Sequence, residues 1–225
     1  MDILIYGIVN SVVFSLIAVG FTLVYGVARV PNFAHGSIYV LVGFLTWSFV
    51  NDLKMNYALA IILSLVIASI VGLLIYRLVL IRLRGMPTSE IIASFAVSLI
   101  ILEGLRMQGI AGFKGFIGPF YTLRPFVEGK INIAGVFLDY QRLIIIGAGL
   151  GIVILLWVFT HHTKIGLSLR AIAQDERAAM MLGVHSDRTA MISLGIGSAL
   201  AGLAAVIILP LGSVRAEEGY RVLIH

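Results

Sequence analysis

The side chains able to do chemistry in this chain are few and widely spaced. His161 and His162 are adjacent and His35 stands alone, and no HExxH or clustered His/Asp/Glu pattern offers a metal centre its ligands. No G-x-S-x-G nucleophile motif occurs. The phosphate-loop signature G-x-x-x-x-G-K-[ST] is also absent; GFKGFIG at 112–118 has glycines without the Lys-Ser/Thr ending. With Cys 0 among 225 residues, disulfides, thiolate metal sites and iron–sulfur clusters are excluded. The chain is therefore expected to be no enzyme and to hold no cofactor of its own.

What stands out instead is residues 161–188, HHTKIGLSLRAIAQDERAAMMLGVHSDR, a polar segment between two hydrophobic runs. Asp175 is placed to cap a helix, its carboxylate accepting from free N–H groups of the first turn. Glu176 follows where negative charge suits the helix dipole. Good helix formers fill ERAAMML, and Gly183 stands where a left-handed closing residue belongs. Ser186 or Asp187 is expected to cap the next helix. The segment predicts a compact helix of about two turns, presented between two larger elements.

Those larger elements follow from composition. The chain is 60% hydrophobic and 12% charged, with mean hydropathy +1.07. A water-soluble domain of this length cannot hide so much apolar side chain. Continuous apolar runs long enough to cross a hydrocarbon core recur at about 3–27, 33–50, 57–80, 91–109, 142–160 and 189–212. They lack the short alternation of a transmembrane barrel. The expected fold class is all-α: a polytopic α-helical integral membrane protein of about six transmembrane helices and one short connecting helix. The first run opens with MDIL, without Lys or Arg, and reads as a retained helix rather than a signal peptide. The net charge of +5 belongs at lipid headgroups, and no basic–aromatic patch suggests nucleic acid.

Within the first span, Gly7, Ser11, Ser15, Ala18, Thr22 and Tyr25 recur at spacings of three and four, so small and weakly polar side chains share a face expected to meet protein. Packing on other helices and lining a translocation path both fit that face. Asn10 lies beside it and needs a partner. The connection RVPNFAHG, residues 29–36, ends the first span, because Pro31 disfavours helix at Val30. Asn32 can cap the second span, and His35 near its start is an ionisable group at membrane depth. Asn10, Ser11, Ser15, Asn32 and His35 are thus the candidate path residues; for His35 a hydrogen bond to a neighbouring helix carbonyl is the structural alternative.

Thr88 or Ser89 is expected to cap the fourth span, with Glu90 in its first turn. Glu103 and Arg106 share a helical face and read as an interfacial pair. Residues 110–141 form the longest non-spanning stretch, where Pro119 and Pro125 argue against one continuous helix. Gly147 and Gly151 in the fifth span, and Gly195, Gly197, Ser198, Ala201 and Gly202 in the sixth, have small-residue spacing for close helix packing. Of the 16 Lys and Arg, eight fall on each side of a six-span topology, so counting charges does not orient it.

Three stretches resemble the permease subunits of ATP-binding-cassette importers for branched-chain amino acids, the LivH type. They are GFTLVYGVARVPNFAHGSIYVLVG at 20–43, KIGLSLRAIAQDERAAMMLGVHSDR at 164–188, and ISLGIGSALAGLAAVI with the following LPLGSV. The resemblance implies a single permease domain over 1–225, with 161–188 as its cytoplasmic coupling loop. It also implies a bacterial or archaeal inner-membrane location with the N-terminus outside. The implied partners are a second related permease, two cytoplasmic ATP-binding subunits that use the ATP, an extracytoplasmic substrate-binding protein and the lipid bilayer. In that family a loop helix with an E-A-A-x-x-x-G motif fits a groove on the ATPase. Ala178, Ala179 and Gly183 stand at the matching positions, while Arg177 replaces the Glu and Glu176 lies one residue earlier. The downstream I-x-L-P part is not at its usual spacing. Family members usually continue beyond the equivalent of Gly219, so this chain is expected to be C-terminally incomplete. A urea or short-amide permease shares the layout, and an ion-gradient transporter or a non-transporting membrane scaffold are the readings from other classes.

Overall fold

The computed structural model describes residues 2–29, 31–110, 120–121, 129–133, 136–210 and 214–215. Apolar sequence that must satisfy its backbone away from water does so internally, as helix. The elements run α1 (Asp2–Ala28), α2 (Ala34–Asn51), α3 (Tyr57–Ile75), a π-helical turn (Tyr76–Leu80), α4 (Ile81–Leu83) and α5 (Pro87–Ile110). Three short strands follow, β1 (Phe120–Tyr121), β2 (Lys130–Ile133) and β3 (Val136–Asp139). Then come α6 (Tyr140–His162), α7 (Lys164–Gln174), α8 (Glu176–Met181), α9 (Ser186–Ile208) and β4 (Val214–Arg215). The strands form two antiparallel ribbons, β2 with β3 and β1 with β4. The protein is an all-α polytopic bundle with these ribbons at one end.

Among the described residues, five helical stretches are long and apolar enough to cross a membrane: Asn10–Ala28, Tyr57–Leu83, Pro87–Met107, Tyr140–His162 and Ser186–Ile208. The expected span at 33–50 is the exception. It forms α2, of 18 residues, but carries His35, Ser37, Thr46 and Asn51. Most of α2 from Ala34 to Thr46 is buried against other helices, so protein rather than lipid surrounds it. A helix shielded in that way does not need a uniformly apolar surface.

The centre of the bundle is α9, which packs on α1, α2 and α3. Its small residues let the backbones approach. A Cβ at Gly197 would meet Val24 Cγ2 at 2.4 Å and the Gly20 carbonyl of α1 at 3.1 Å. A Cβ at Gly202 would meet Val42 Cγ2 of α2 at 2.9 Å. Polar side chains bridge the same interfaces: Ser193 donates to the Leu23 carbonyl at 3.1 Å, and Ser69 of α3 to the Gly195 carbonyl at 3.2 Å. The expectation of close packing at 195–202 is met.

Two other small-residue faces, that of α1 and that of Gly147 and Gly151 in α6, are not covered by the described residues of this chain. The stripe Gly7, Ser11, Ser15, Ala18, Thr22 and Tyr25 is exposed, and α1 turns Leu16, Gly20, Val24 and Val27 inward instead. The hydroxyls do not require a neighbouring helix, because Ser11, Ser15 and Thr22 donate to the carbonyls of Gly7, Ser11 and Ala18 in their own helix, each at 2.7 Å. Asn10 shares the exposed face. In α6, Gly147 and Gly151 have no neighbour within 4 Å, whereas a Cβ at Gly149 would lie 2.1 Å from Val12 Cγ1. Gly149→Leu is therefore expected to cost about 1–3 kcal/mol through overpacking, while Gly147→Leu changes little. Thermal aggregation of the two detergent-solubilised variants separates these outcomes.

Residues 29 and 31–33 and the connections 84–86 and 163–185 lie together on one end, here the loop face. Arg29 Nη2 donates to the Gln174 carbonyl at 3.3 Å, and Arg84 reaches both α8 and α9. The ribbons join helix ends at the opposite face. Cap assignments also shift. Pro87 starts α5, where its missing N–H costs nothing, so Thr88 and Ser89 are helical; Glu90 accepts from the Gly85 N–H at 3.0 Å. Glu103 and Arg106 are an exposed pair at 3.6 Å, as expected for an interfacial contact. Much of 110–141 lies outside the described residues.

Candidate functional site: a tethered surface helix

The segment 161–188 folds as two helices, α7 and α8, rather than one. α7 was not foreseen, although its signals are present. Thr163 caps it, accepting from the Gly166 N–H at 3.0 Å, and Leu169 and Ile172 bury one face. Gly166 allows the sharp reversal from α6, since a Cβ there would lie 2.5 Å from the Phe159 and Thr160 carbonyl oxygens. Arg29 adds a second support. Its guanidinium sits at the carbonyl end of α7, where positive charge suits the dipole.

α8 is short and built from its ends. Asp175 accepts from the N–H groups of Arg177 and Ala178 at 2.9 and 3.1 Å. Gly183 closes it at φ +87°, a conformation that glycine adopts without strain, and Val184 N–H reaches back to the Ala179 carbonyl at 3.0 Å. Six residues cannot hold a helix in water by propensity alone, so these ends and its packing define it. Ala179 is buried against the bundle, whereas Met181 and Leu182 are 82% and 86% exposed. Arg177 and Met180 are exposed as well.

Ser186 and Asp187 do not cap α9. The helix begins at Ser186 after His185, which makes no side-chain cap. Both side chains are engaged by Arg84, from the tight loop 81–90. Its Nη1 pairs with Asp187, and its Nη2 with Glu176 and Ser186. Ser186 Oγ also donates to Glu176 at 2.6 Å, and Tyr76, first residue of the π turn, donates to Asp187 at 3.1 Å. Burial opposes the guanidinium charge, but Tyr76, Asp187 and Glu176 outweigh it and push the Arg84 pKa up. Because these groups are partly exposed, the ion pairs contribute only about 0–1 kcal/mol each to folding. The cluster joins α4, α8, α9 and the end of α3 at one point. Sequence reading missed it, since Arg84 lies 92 to 103 residues from its partners.

The other candidates fall into two groups. Asn10, Ser11 and Ser15 lie on the exposed face of α1, while Asn32 and His35 are buried at the start of α2. Asn32 Oδ1 accepts from the Ala34 N–H at 3.1 Å, but the N-cap position of α2 is Phe33, one residue later than expected. The buried His35 ring meets Phe21 of α1 edge-on, with centroids 6.0 Å apart, and its Nε2 has no hydrogen-bond partner among the described residues. The structure does not gather these five residues at one point. His161 stacks on Trp157 and its Nδ1 lies 2.9 Å from the Trp157 carbonyl, and no metal-binding group of His, Cys, Asp or Glu occurs among the described residues.

This arrangement, a helical bundle with a capped surface helix on one face, has known relatives in sequence. The high-affinity branched-chain amino acid transport system permease protein BraD of Pseudomonas aeruginosa is 27% identical over 216 residues, which cover 91% of this chain and 69% of that protein. The corresponding LivH of Escherichia coli is 26% identical, covering 90% and 68%. A probable LivH of Methanocaldococcus jannaschii is also 26% identical, covering 88% and 62%. No solved structure matches. The family described as "Branched-chain amino acid transport system / permease component" matches residues 3–223. The chain therefore belongs to that family and is a multi-pass membrane permease component of a transport system, with no catalytic part in the family's own role.

Proposed function

We propose that this chain forms part of the translocation path of an ATP-driven importer for branched-chain or other small amino acids, and that α8 receives the force. The observation that carries this reading is the form of α8. It is capped at Asp175, closed at Gly183 and tied inward through Glu176, yet it holds Arg177, Met180, Met181 and Leu182 outward. Exposed methionine and leucine on a rigid helix suit a hydrophobic groove on another protein. The loop face is cytoplasmic in this reading, which puts the N-terminus of α1 outside. Two ATP-binding subunits dock on the loop face and use the ATP. A second related permease completes the path, and an extracytoplasmic binding protein delivers substrate on the ribbon face. The chain itself holds no cofactor. Asp175, Glu176, Arg177, Ala178, Ala179 and Gly183 position the coupling helix.

Alternating access then needs only that closure of the ATP-binding pair displaces α8 and that the bundle rocks in response. An ion-gradient mechanism would need an acid at membrane depth. Glu103 is exposed and paired with Arg106, and Glu90 is engaged by the Gly85 N–H, so neither suits that role.

Co-purification tests the docking surface. Met181→Asp with Leu182→Asp is expected to reduce the ATP-binding subunit recovered with the chain by about 30-fold, the scale of an interface hot spot. Membrane level should stay unchanged. Full recovery with both substitutions would remove α8 as the docking element.

A further inference from the structure

We infer that Arg84 is a positioning residue that locks α8 to α9 and to the end of α3, so that displacement of α8 passes directly to the central helix of the bundle. The inference rests on the reading of α8 as the force-receiving helix. Its geometry stands apart from that reading.

Three observations carry it. The covalent link from α8 to α9 is the turn 182–185, which contains Gly183 at φ +87°, a joint about which a six-residue helix can pivot. Arg84 bypasses the joint, bonding Glu176 in the first turn of α8 and Ser186 and Asp187 in the first turn of α9. α3 enters the same junction through Tyr76, whose hydroxyl donates to Asp187 at 3.1 Å. The second helix in the junction matters because α9 is the most enclosed long helix, packed on α1, α2 and α3. A push on α8 therefore reaches α9 and the three helices packed on it through the Arg84 guanidinium, beside the direct Ser186–Glu176 bond.

The chemistry explains why arginine stands here. Three acceptors on two helices must be bonded at once, and the planar guanidinium fork presents donors in fixed directions. An ammonium would keep the charge without that geometry. The π turn before Arg84 contributes too. Its wider winding changes the angular position of everything after it relative to a continuous α-helix, which sets the direction in which the 81–84 segment leaves α3. Partly exposed ion pairs contribute little to folding, so Arg84 substitutions should loosen the junction without unfolding the bundle.

Two readouts separate the lock from the importer reading. Because the chain has no cysteine, Met181→Cys provides a single site for a spin label on the outer side of α8. In the full chain reconstituted in lipid, Arg84→Ala should increase label mobility, whereas Arg82→Ala, an exposed neighbour, should not. In the complex with its ATP-binding subunits, Arg84→Ala should lower substrate moved per ATP hydrolysed by roughly fivefold or more, the lower end of ordinary site-to-site coupling. Arg84→Lys should recover less than half of that loss. The reversed pair Arg84→Glu with Asp187→Arg, which places a guanidinium between the introduced carboxylate and Glu176, should recover more than Lys does. Unchanged label mobility in Arg84→Ala would overturn the lock. Raised mobility with normal coupling would overturn its role in transmission. Failure of the unmodified chain to couple to any ATP-binding subunit would instead count against the importer reading, and the mobility comparison would still report on the lock.

Discussion

Gly72→Val is expected to destabilise the bundle strongly. Gly72 of α3 faces α9, and even a Cβ there would lie 2.2 Å from Ser198 Oγ and 2.8 Å from the Leu194 carbonyl oxygen. One of those neighbours is backbone of the central helix and cannot rotate away. Apolar burial gives helices little reason to associate inside lipid, so close packing and interhelical hydrogen bonds hold them together. Separating α3 from α9 would also break the Ser69 bond to the Gly195 carbonyl. Overpacking alone costs about 1–3 kcal/mol, and the lost bond about 1 kcal/mol more, a large part of a typical margin. The membrane level of the variant and its resistance to thermal aggregation measure the effect. Ser198→Gly added to Gly72→Ala should restore part of it, since the hydroxyl contact disappears and the carbonyl contact remains.

The comparison of α9 with α1 shows what was readable in the sequence. Long apolar runs leave the backbone little choice but helix, so six long helices lie within a few residues of where the runs predict them. In α9 the small residues are so dense that close neighbours were required on several sides. In α1 and α6 spacing showed which residues share a face, but not what the face meets. Serine and threonine can bond their own helix, as Ser11, Ser15 and Thr22 do, so a polar stripe need not mark an interface within the chain. Gly149 rather than Gly147 or Gly151 touches α1, a matter of rotation about the helix axis that period alone does not set. Local capping at Asp175 and Gly183 was readable because its chemistry is confined to a few neighbouring residues. The Arg84 cluster was not, because it depends on which helix ends the fold brings together.

Gly183→Pro is the second substitution with a large expected effect, and Asp175→Ala a weaker companion. Proline fixes φ near −65°, whereas Gly183 stands at +87° and donates its N–H to the Met180 carbonyl at 3.0 Å. The closing turn of α8 therefore cannot form. Asp175→Ala removes the acceptor for two N–H groups, at a cost of about 0.5–2 kcal/mol. For a six-residue helix that loss is enough to fray it. Neither residue contributes to a membrane-crossing helix, so insertion should continue. ATP-driven uptake should fall by about tenfold or more in Gly183→Pro, equivalent to roughly 1.4 kcal/mol of coupling, and less in Asp175→Ala. Uptake and ATP hydrolysis measured on the same vesicles, with membrane level as the control, check this. Normal coupling in both variants would mean that the ends of α8 do not govern force transfer.

The most direct test is uptake of labelled leucine into vesicles reconstituted with this chain, a second permease, the ATP-binding subunits and the substrate-binding protein. Uptake that requires ATP supplied at the loop face, and that is lost when 175–183 is scrambled, is the predicted result. Uptake by this chain alone, driven by an ion gradient and indifferent to ATP, would contradict it.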